Sequence, residues 1–241
     1  MKTATKAFQL FKETVEPYLY PLPFKSQKGQ DRWVIFEVLP WKKNGFFIEL
    51  AVADGVTHSN TYVLEKLFNW TGICIEPNPK YHDLMARKRK CIIDKSVISC
   101  TSEVVDFRID NAQLGGIVSD DTDNNRQLRN EELEEATIIS LKAATLTEVL
   151  DFYEAPNFID YLSLDVEGSE ERVIRGLDLS RYSFGCVTIE RPTPLVNEIL
   201  FDQGYIFVKN YKYDSFYIHP HVQKIRKLRC SKFQQVHPKN W

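Results

Sequence analysis

GFFIELAVADGVTHSN, residues 45–60, is the stretch that decides the fold. Its first eight residues are almost wholly apolar and rich in β-formers, the pattern of a strand covered on both faces of a parallel sheet. Asp54 and Gly55 then make a turn, and Val63, Leu64, Leu67 and Phe68 fall on one face of the helix that follows. The same strand-then-helix unit recurs outward along the chain. TGICIEP (71–77) precedes YHDLMARKRK, and CIIDKSVIS (91–99) continues the alternation. TLTEVLDFY reads as a helix before IDYLSLDV (159–166); SEERVIRGL, FGCVTIE (184–190) and LVNEILFDQG follow. The alternation predicts an α/β fold with a parallel sheet and helices on both faces. YIFVKNYKYDSFYIHP closes the body as an antiparallel hairpin.

Residues 101–135 interrupt the pattern. EVVDFRI reads as an extra strand, and SDDTDNN (119–125) as a polar loop, disordered or gating a substrate. It lacks the spacing and downstream Glu of an EF-hand calcium loop. The expected organisation is one domain of 241 residues, with an N-terminal helical cap (1–44), the sheet domain (45–218) and a basic tail (219–241).

Charge is near balance overall, 31 Lys and Arg against 33 Asp and Glu, which disfavours a dedicated nucleic-acid binder. The tail from Ile218 onward holds six positives and no acid, and setting it aside leaves 25 basic against 33 acidic residues. A solvated tail is the expectation. No apolar run is long enough to span a membrane, charged residues interrupt the N-terminus, and five cysteines show no close pairing. A cytoplasmic protein with free thiols is expected.

Glu49, Glu76, Asp165 and Glu190 each end a strongly apolar strand. Ligands of open parallel sheets bind at those carboxyl ends. One acid there is as well explained by a strand exit or helix cap; four together favour a ligand rich in hydroxyls, amines or positive charge. The turn after the first strand has only Gly55, with Ala51 and Ala53 nearby, so it is a poor pyrophosphate cradle. It still offers backbone N–H groups for a ligand carboxylate. Glu76, 21 residues beyond Gly55, stands where a carboxylate accepts ribose hydroxyls. A nucleoside with an amino-acid end and no pyrophosphate is S-adenosylmethionine, which favours a methyltransferase over an NAD-linked oxidoreductase.

FIELAVADGVTHSNTYVLEK, WTGICIEPNP, IDYLSLDVEGSEERVI and VTIER resemble the FkbM family of S-adenosylmethionine-dependent O-methyltransferases, over roughly residues 26–218. The resemblance implies a Rossmann-like, seven-stranded class I methyltransferase sheet with its last strand antiparallel. It implies a cofactor turn over residues 49–55, including Glu49, Ala51, Asp54 and Gly55, with Ser59 and Asn60 beyond it. Glu76 would bind ribose, Pro77 and Asn78 would shape the adenine side, and Ser96 would lie along the adenine edge. Two departures stand out: Ala51 replaces a usual Gly, and Arg191 stands where a His often follows the fifth strand. The expected acceptor is a hydroxyl of a sugar, glycan or similar polyhydroxylated molecule.

A hydroxyl attacks a methyl sulphonium best when its proton has somewhere to go. Asp165 is therefore expected to act as general base or as a ligand to a divalent metal such as magnesium, with Glu167 and Glu190 in support. Asp165 and Glu190 are the candidate metal ligands. Helix capping is the competing role for Glu167. His58 is a second, weaker candidate base. A non-catalytic partner- or glycan-binding module on the same fold is the alternative that Ala51 leaves open.

Overall fold

The computed structural model describes residues 24–111 and 115–236. Residues 1–23 of the expected cap and 237–241 of the basic tail lie outside them.

The main sheet has seven strands: β1 (Phe46–Leu50), β2 (Thr71–Ile75), β3 (Ile92–Asp94), β8 (Phe158–Leu164), β9 (Ser183–Glu190), β10 (Ile206–Tyr211) and β11 (Asp214–Ile218). They run in the order β3-β2-β1-β8-β9-β11-β10. The first five are parallel, and β11 runs antiparallel to both β9 and β10. This is the doubly wound, seven-stranded class I methyltransferase-like sheet with a reversed last strand.

Its alternating side chains feed two cores. Ile48, Ile73, Leu162 and Val187 pack under α5 (Leu146–Phe152), α6 (Glu170–Arg175) and α7 (Pro194–Asp202). Phe47, Cys74, Tyr161 and Cys186 face the other side, under α2 (Tyr62–Phe68), α3 (Pro79–Lys88) and α8 (Pro220–Arg226). Joining them is α1 (Gln30–Trp33), which widens into a π-helical turn (Val34–Val38) and buries Trp33, Val34, Ile35 and Val38.

Between β3 and β8 the chain builds a second sheet, in the order β4-β7-β5-β6, from β4 (Val97–Ile98), β5 (Val104–Arg108), β6 (Gly116–Ile117) and β7 (Ile138–Ala144). α4 (Arg126–Glu134) precedes β7. Val97, Val105, Phe107, Ile117 and Ala143 form this sheet's own small core. Phe107 and Ile117 also flank the carboxyl ends of β1 and β2.

Two expectations change. SDDTDNN is packed in place: Asn124 and Thr122 are buried, and Asp121 pairs with Arg172 at 2.7 Å. The basic tail is docked as well. Ser231 N–H donates to Val208 O (2.7 Å), Asn210 Nδ2 to Gln234 O (2.7 Å), and the Phe233 ring lies 5.1 Å from Phe201 and 5.2 Å from Phe207. Apolar contact outweighs solvation of the intervening charges, which stay on the outside. Among the described residues no helix is long and apolar enough to cross a membrane, and all five cysteines are free thiols.

Candidate functional site

A groove of about 320 Å³ opens at the carboxyl ends of β1, β2, β8 and β9. Its floor is the turn after β1, where Ala51 (φ 57°), Ala53 (φ 48°) and Gly55 (φ 79°) alternate in the left-handed region. Each such alanine costs roughly 1–2 kcal/mol, so the surroundings must hold the turn. Glu49, buried at its root, does so: its carboxylate accepts from Asn60 N–H (2.5 Å), Ser59 Oγ (2.9 Å) and Thr61 Oγ1. Behind it lies Arg89, whose guanidinium is 3.6 Å from Glu49. Arg89 also donates to Glu65 (2.9 Å), Gly55 O (3.0 Å), Ser59 Oγ (3.2 Å) and Thr61 Oγ1 (2.8 Å).

Asp54 and Gly55 serve the turn from outside the groove. The Asp54 carboxylate accepts from Val56 N–H, Thr57 N–H and Lys88, which together overcome burial and hold it at about 2. A side chain at Gly55 would press within 3.0 Å of Arg89.

Glu76, at the end of β2, accepts from Ala53 N–H (2.7 Å) and Asn78 N–H (2.9 Å), so one carboxylate ties the two turns together. Burial raises its pKa against those two bonds. Each oxygen keeps a further lone pair, and Glu76 lines the groove, where a hydroxyl donor would meet it. Asn78 caps α3 through Lys80 N–H and donates to Ile109 O (3.0 Å). Next to Pro77 an apolar slot opens between Leu50, Ile75, Val97, Phe107 and Ile117, with Ser96 at its edge. Of the four buried side-chain polar atoms that lack a partner among the described residues, two belong to this site, Asn60 Oδ1 and Ser169 Oγ. Asn60 lines the groove and Ser169 the slot, where a ligand's polar atoms would meet them.

The far wall of the groove is acidic. Asp165, Glu167 and Glu190 bring carboxylate oxygens within 4.8 Å of one another. Burial and then the neighbouring Glu190 raise Asp165 well above the usual range. Burial, then Asp165 and Glu190, push Glu167 up to about 9. Burial raises Glu170 to about 7, and burial then Glu190 raise Asp214 to about 7. Arg191 is the cation among them, bonded to Asp123, to Glu190 (3.0 Å) and to Glu167 (3.4 Å).

Local backbone makes this wall possible. Glu167 (φ 52°) and Gly168 (φ 88°) are both left-handed, and a Cβ on Gly168 would stand 2.7 Å from Asp123 N. Asp123 N–H donates to Glu167 O (3.1 Å), which seats the 119–125 loop on the site. Glu170 accepts from Val166 N–H (2.9 Å) as the first residue of α6.

On the near rim, residues 24–28 lie along the turn: Ser26 bridges His58, and Gln27 Nε2 is 2.7 Å from His58 Nδ1. Lys28 Nζ donates to Gln27 Oε1 (2.9 Å), which fixes Gln27 Nε2 as the donor to the imidazole. In that arrangement His58 Nδ1 accepts the Gln27 bond, and the imidazole is held on the rim of the groove.

The structure thus gathers Glu49, Ala51, Ser59, Asn60, Glu76, Pro77, Asn78, Asp165, Glu167 and Glu190 around one groove, with Ser96 on the adjoining slot. Sequence reasoning missed Arg89, Asp123, Glu170 and Asp214. Arg89 had a faint signal as part of the basic run ending α3; Asp123 and Asp214 had none short of the tertiary contacts.

The family described as methyltransferase FkbM domain matches residues 49–213. A solved structure titled methyltransferase FkbM, from Methylobacillus flagellatus KT, aligns over 88% of this chain at 13% identity and a TM-score of 0.48. This chain covers 53% of that one, about half its length. A precorrin-6y C5,15-methyltransferase from Geobacter metallireducens GS-15 aligns over 78% of this chain and 86% of its own, at 13% identity and a TM-score of 0.41. Comparison with curated proteins gives no match.

Proposed function

Because the chain belongs to the FkbM methyltransferase domain family, we propose that it moves a methyl group from S-adenosylmethionine to a hydroxyl oxygen of a sugar, glycan or similar polyhydroxylated acceptor. The observation that carries this reading is the wall of Asp165, Glu167 and Glu190 across the groove from Glu76. S-adenosylmethionine supplies an activated, positively charged methyl donor. The left-handed turn at 51–55 and the orphan Asn60 Oδ1 suit its amino-acid end, Glu76 its ribose, and the slot beside Pro77 and Ser96 its base. Glu49, Asp54 and Gly55 support it by shaping the turn.

The acceptor oxygen must approach in line with the sulphur–carbon bond, so most of the rate comes from alignment. As the carbon–oxygen bond forms, Asp165 takes the hydroxyl proton. Burial and mutual repulsion raise Asp165 and Glu167 above the usual carboxylate range, so Asp165 acts in its ionised fraction, where the raised pKa makes it the stronger base. Arg191 holds Glu190 and Glu167 in place. Asp165 and Glu190 would also hold a divalent ion such as magnesium, which would make a bound hydroxyl more acidic. The free thiols fit a reducing, cytoplasmic setting.

The test is a panel of glycans with labelled S-adenosylmethionine, with magnesium or EDTA. Asp165→Asn should lose turnover while its affinity for S-adenosylhomocysteine stays within about twofold; wild-type turnover in that variant sinks the assignment. The left-handed Ala51 favours the second reading, a non-catalytic module. No binding of S-adenosylhomocysteine at millimolar concentration would select it.

A further inference from the structure

On the opposite side of the buried Arg89 from the groove, Cys74 and Cys91 place their sulphurs 3.4 Å apart. Cys74 is fully buried within β2, one residue before its end, whereas Cys91 immediately precedes β3 and is half-buried. Ile93 is the strand partner of Cys74, so Cys91, two residues earlier, projects from the same face of the sheet. Cys91 also lines a cavity of about 650 Å³ at the amino ends of β1, β2 and β3, beside Lys66, Trp70 and Lys90. One thiol is therefore reachable from outside, and its neighbour sits sealed behind it.

We infer that Cys74 and Cys91 are a peroxide-sensitive pair whose disulfide weakens cofactor binding. Cys91, as thiolate, attacks one peroxide oxygen: a sulphur–oxygen bond forms, the oxygen–oxygen bond breaks, and the departing hydroxide leaves as water. The Cys74 sulphur then attacks the Cys91 sulphenic sulphur, and the hydroxyl leaves with the Cys74 proton as a second water. Two thiols are oxidised to one disulfide while one peroxide is reduced to two waters. Burial, and then the neighbouring Cys91, raise the Cys74 thiol well above its usual range against the pull of Arg89, so Cys74 keeps its proton until the resolving step.

The link to the groove is mechanical. A disulfide bond is about 2.05 Å long, so the sulphurs must close by roughly 1.4 Å. Cys74 is fixed between β1 and β3, so Cys91 makes the larger move and takes Arg89, two residues earlier, with it. Arg89 reaches Gly55 O at 3.0 Å, an ordinary length, and Ser59 Oγ at 3.2 Å, at the long end for such bonds. A shift well below 1 Å releases the turn. This coupling rests on the reading that the turn holds S-adenosylmethionine; the thiol chemistry does not.

The experiment treats the folded full chain with hydrogen peroxide and reads intact mass, disulfide-linked peptides and calorimetric affinity for S-adenosylhomocysteine. Expected are a loss of about 2 Da reversed by dithiothreitol, a peptide pair joining Cys74 to Cys91, and affinity weakened at least tenfold. Cys91→Ser, on the accessible and less packed partner, should keep its affinity through the same treatment; Cys74→Ala should do likewise. Oxygen addition without a cross-link overturns the proposal, and so does a cross-link that leaves affinity within twofold. If the reduced protein binds no S-adenosylhomocysteine, the cofactor reading fails separately. The coupling is then read from proteolysis of residues 53–61, and equal cleavage rates in both redox states overturn it.

Discussion

Replacing Arg89 with methionine tests how the groove floor is held. The substitution keeps most of the apolar stem and deletes the guanidinium, leaving Glu65 and Glu49 buried without their shared cation. Burial tends to raise the Glu65 pKa, and the bonds from Lys66 and Arg89 outweigh it and bring it to about 2. Against the ordinary value near 4.5, that shift corresponds to about 3 kcal/mol of stability at neutral pH, shared among Lys66, Arg89 and the Lys90 N–H, and the stranding of Glu49 adds to the part that Arg89 carries. Removing one partner of a buried pair costs about 3–5 kcal/mol in general, which agrees. For a domain of this size, urea unfolding at pH 7 should show that loss together with a melting point lower by about 6–15 °C. The depressed Glu65 pKa means the advantage is present above about pH 4.5 and fades as pH falls towards 2. A second variant, Arg89→Met with Glu65→Gln, should recover at least half of the loss, because the stranded charge is gone. If the single variant lies within 1 kcal/mol of wild type, or the double is no better than the single, the buried cation does not hold this turn.

Three further outcomes follow from the site's other side and from the tail. Glu170 and Asp214 have pKa values raised to about 7, so their contribution is intact at pH 4 and is lost as pH rises through 7. Urea midpoints should fall between pH 5 and 8, and Glu170→Gln should flatten that slope by about 2–3 kcal/mol; an unchanged slope refutes it. Gly168→Ala forces a Cβ against Asp123 in a left-handed residue, which should cost about 1–3 kcal/mol and speed proteolysis of residues 119–125. Phe233→Ala removes a half-exposed ring from Phe201 and Phe207; about 1–2 kcal/mol by chemical denaturation is expected, against near zero for a free tail.

How much of this was legible depended on where each residue's partners lie. β1, β2, β8 and β9 are buried on both faces, so each is a continuous apolar run, and the acid ending it stands out: Asp165 and Glu190 need no tertiary knowledge to be noticed. β7 was lost because its residues are mostly half-exposed and mixed in polarity, and β4 and β6 are only two residues long. SDDTDNN read as a solvated loop because its charges are answered by Arg172 and Arg191, 51 and 68 residues away. Arg89 sits in the run RKRK, where one of four cations is buried and nothing local says which. In the tail, Phe233 and Val236 were the available signal, and the surrounding lysines outweighed it.

The docked tail has one more effect. β10 is an edge strand of the main sheet, and an open strand there would present unpaired backbone groups to any other chain. Ser231 N–H and the Asn210 side chain tie residues 231–234 along that strand, and Gln235 Nε2 reaches Pro192 O at 2.6 Å, next to Arg191. The protein thus shields its own border against strand-to-strand aggregation. Lys232 on the shield adds like-charge repulsion between neighbouring copies, so trimming the tail should reduce solubility before it reduces activity.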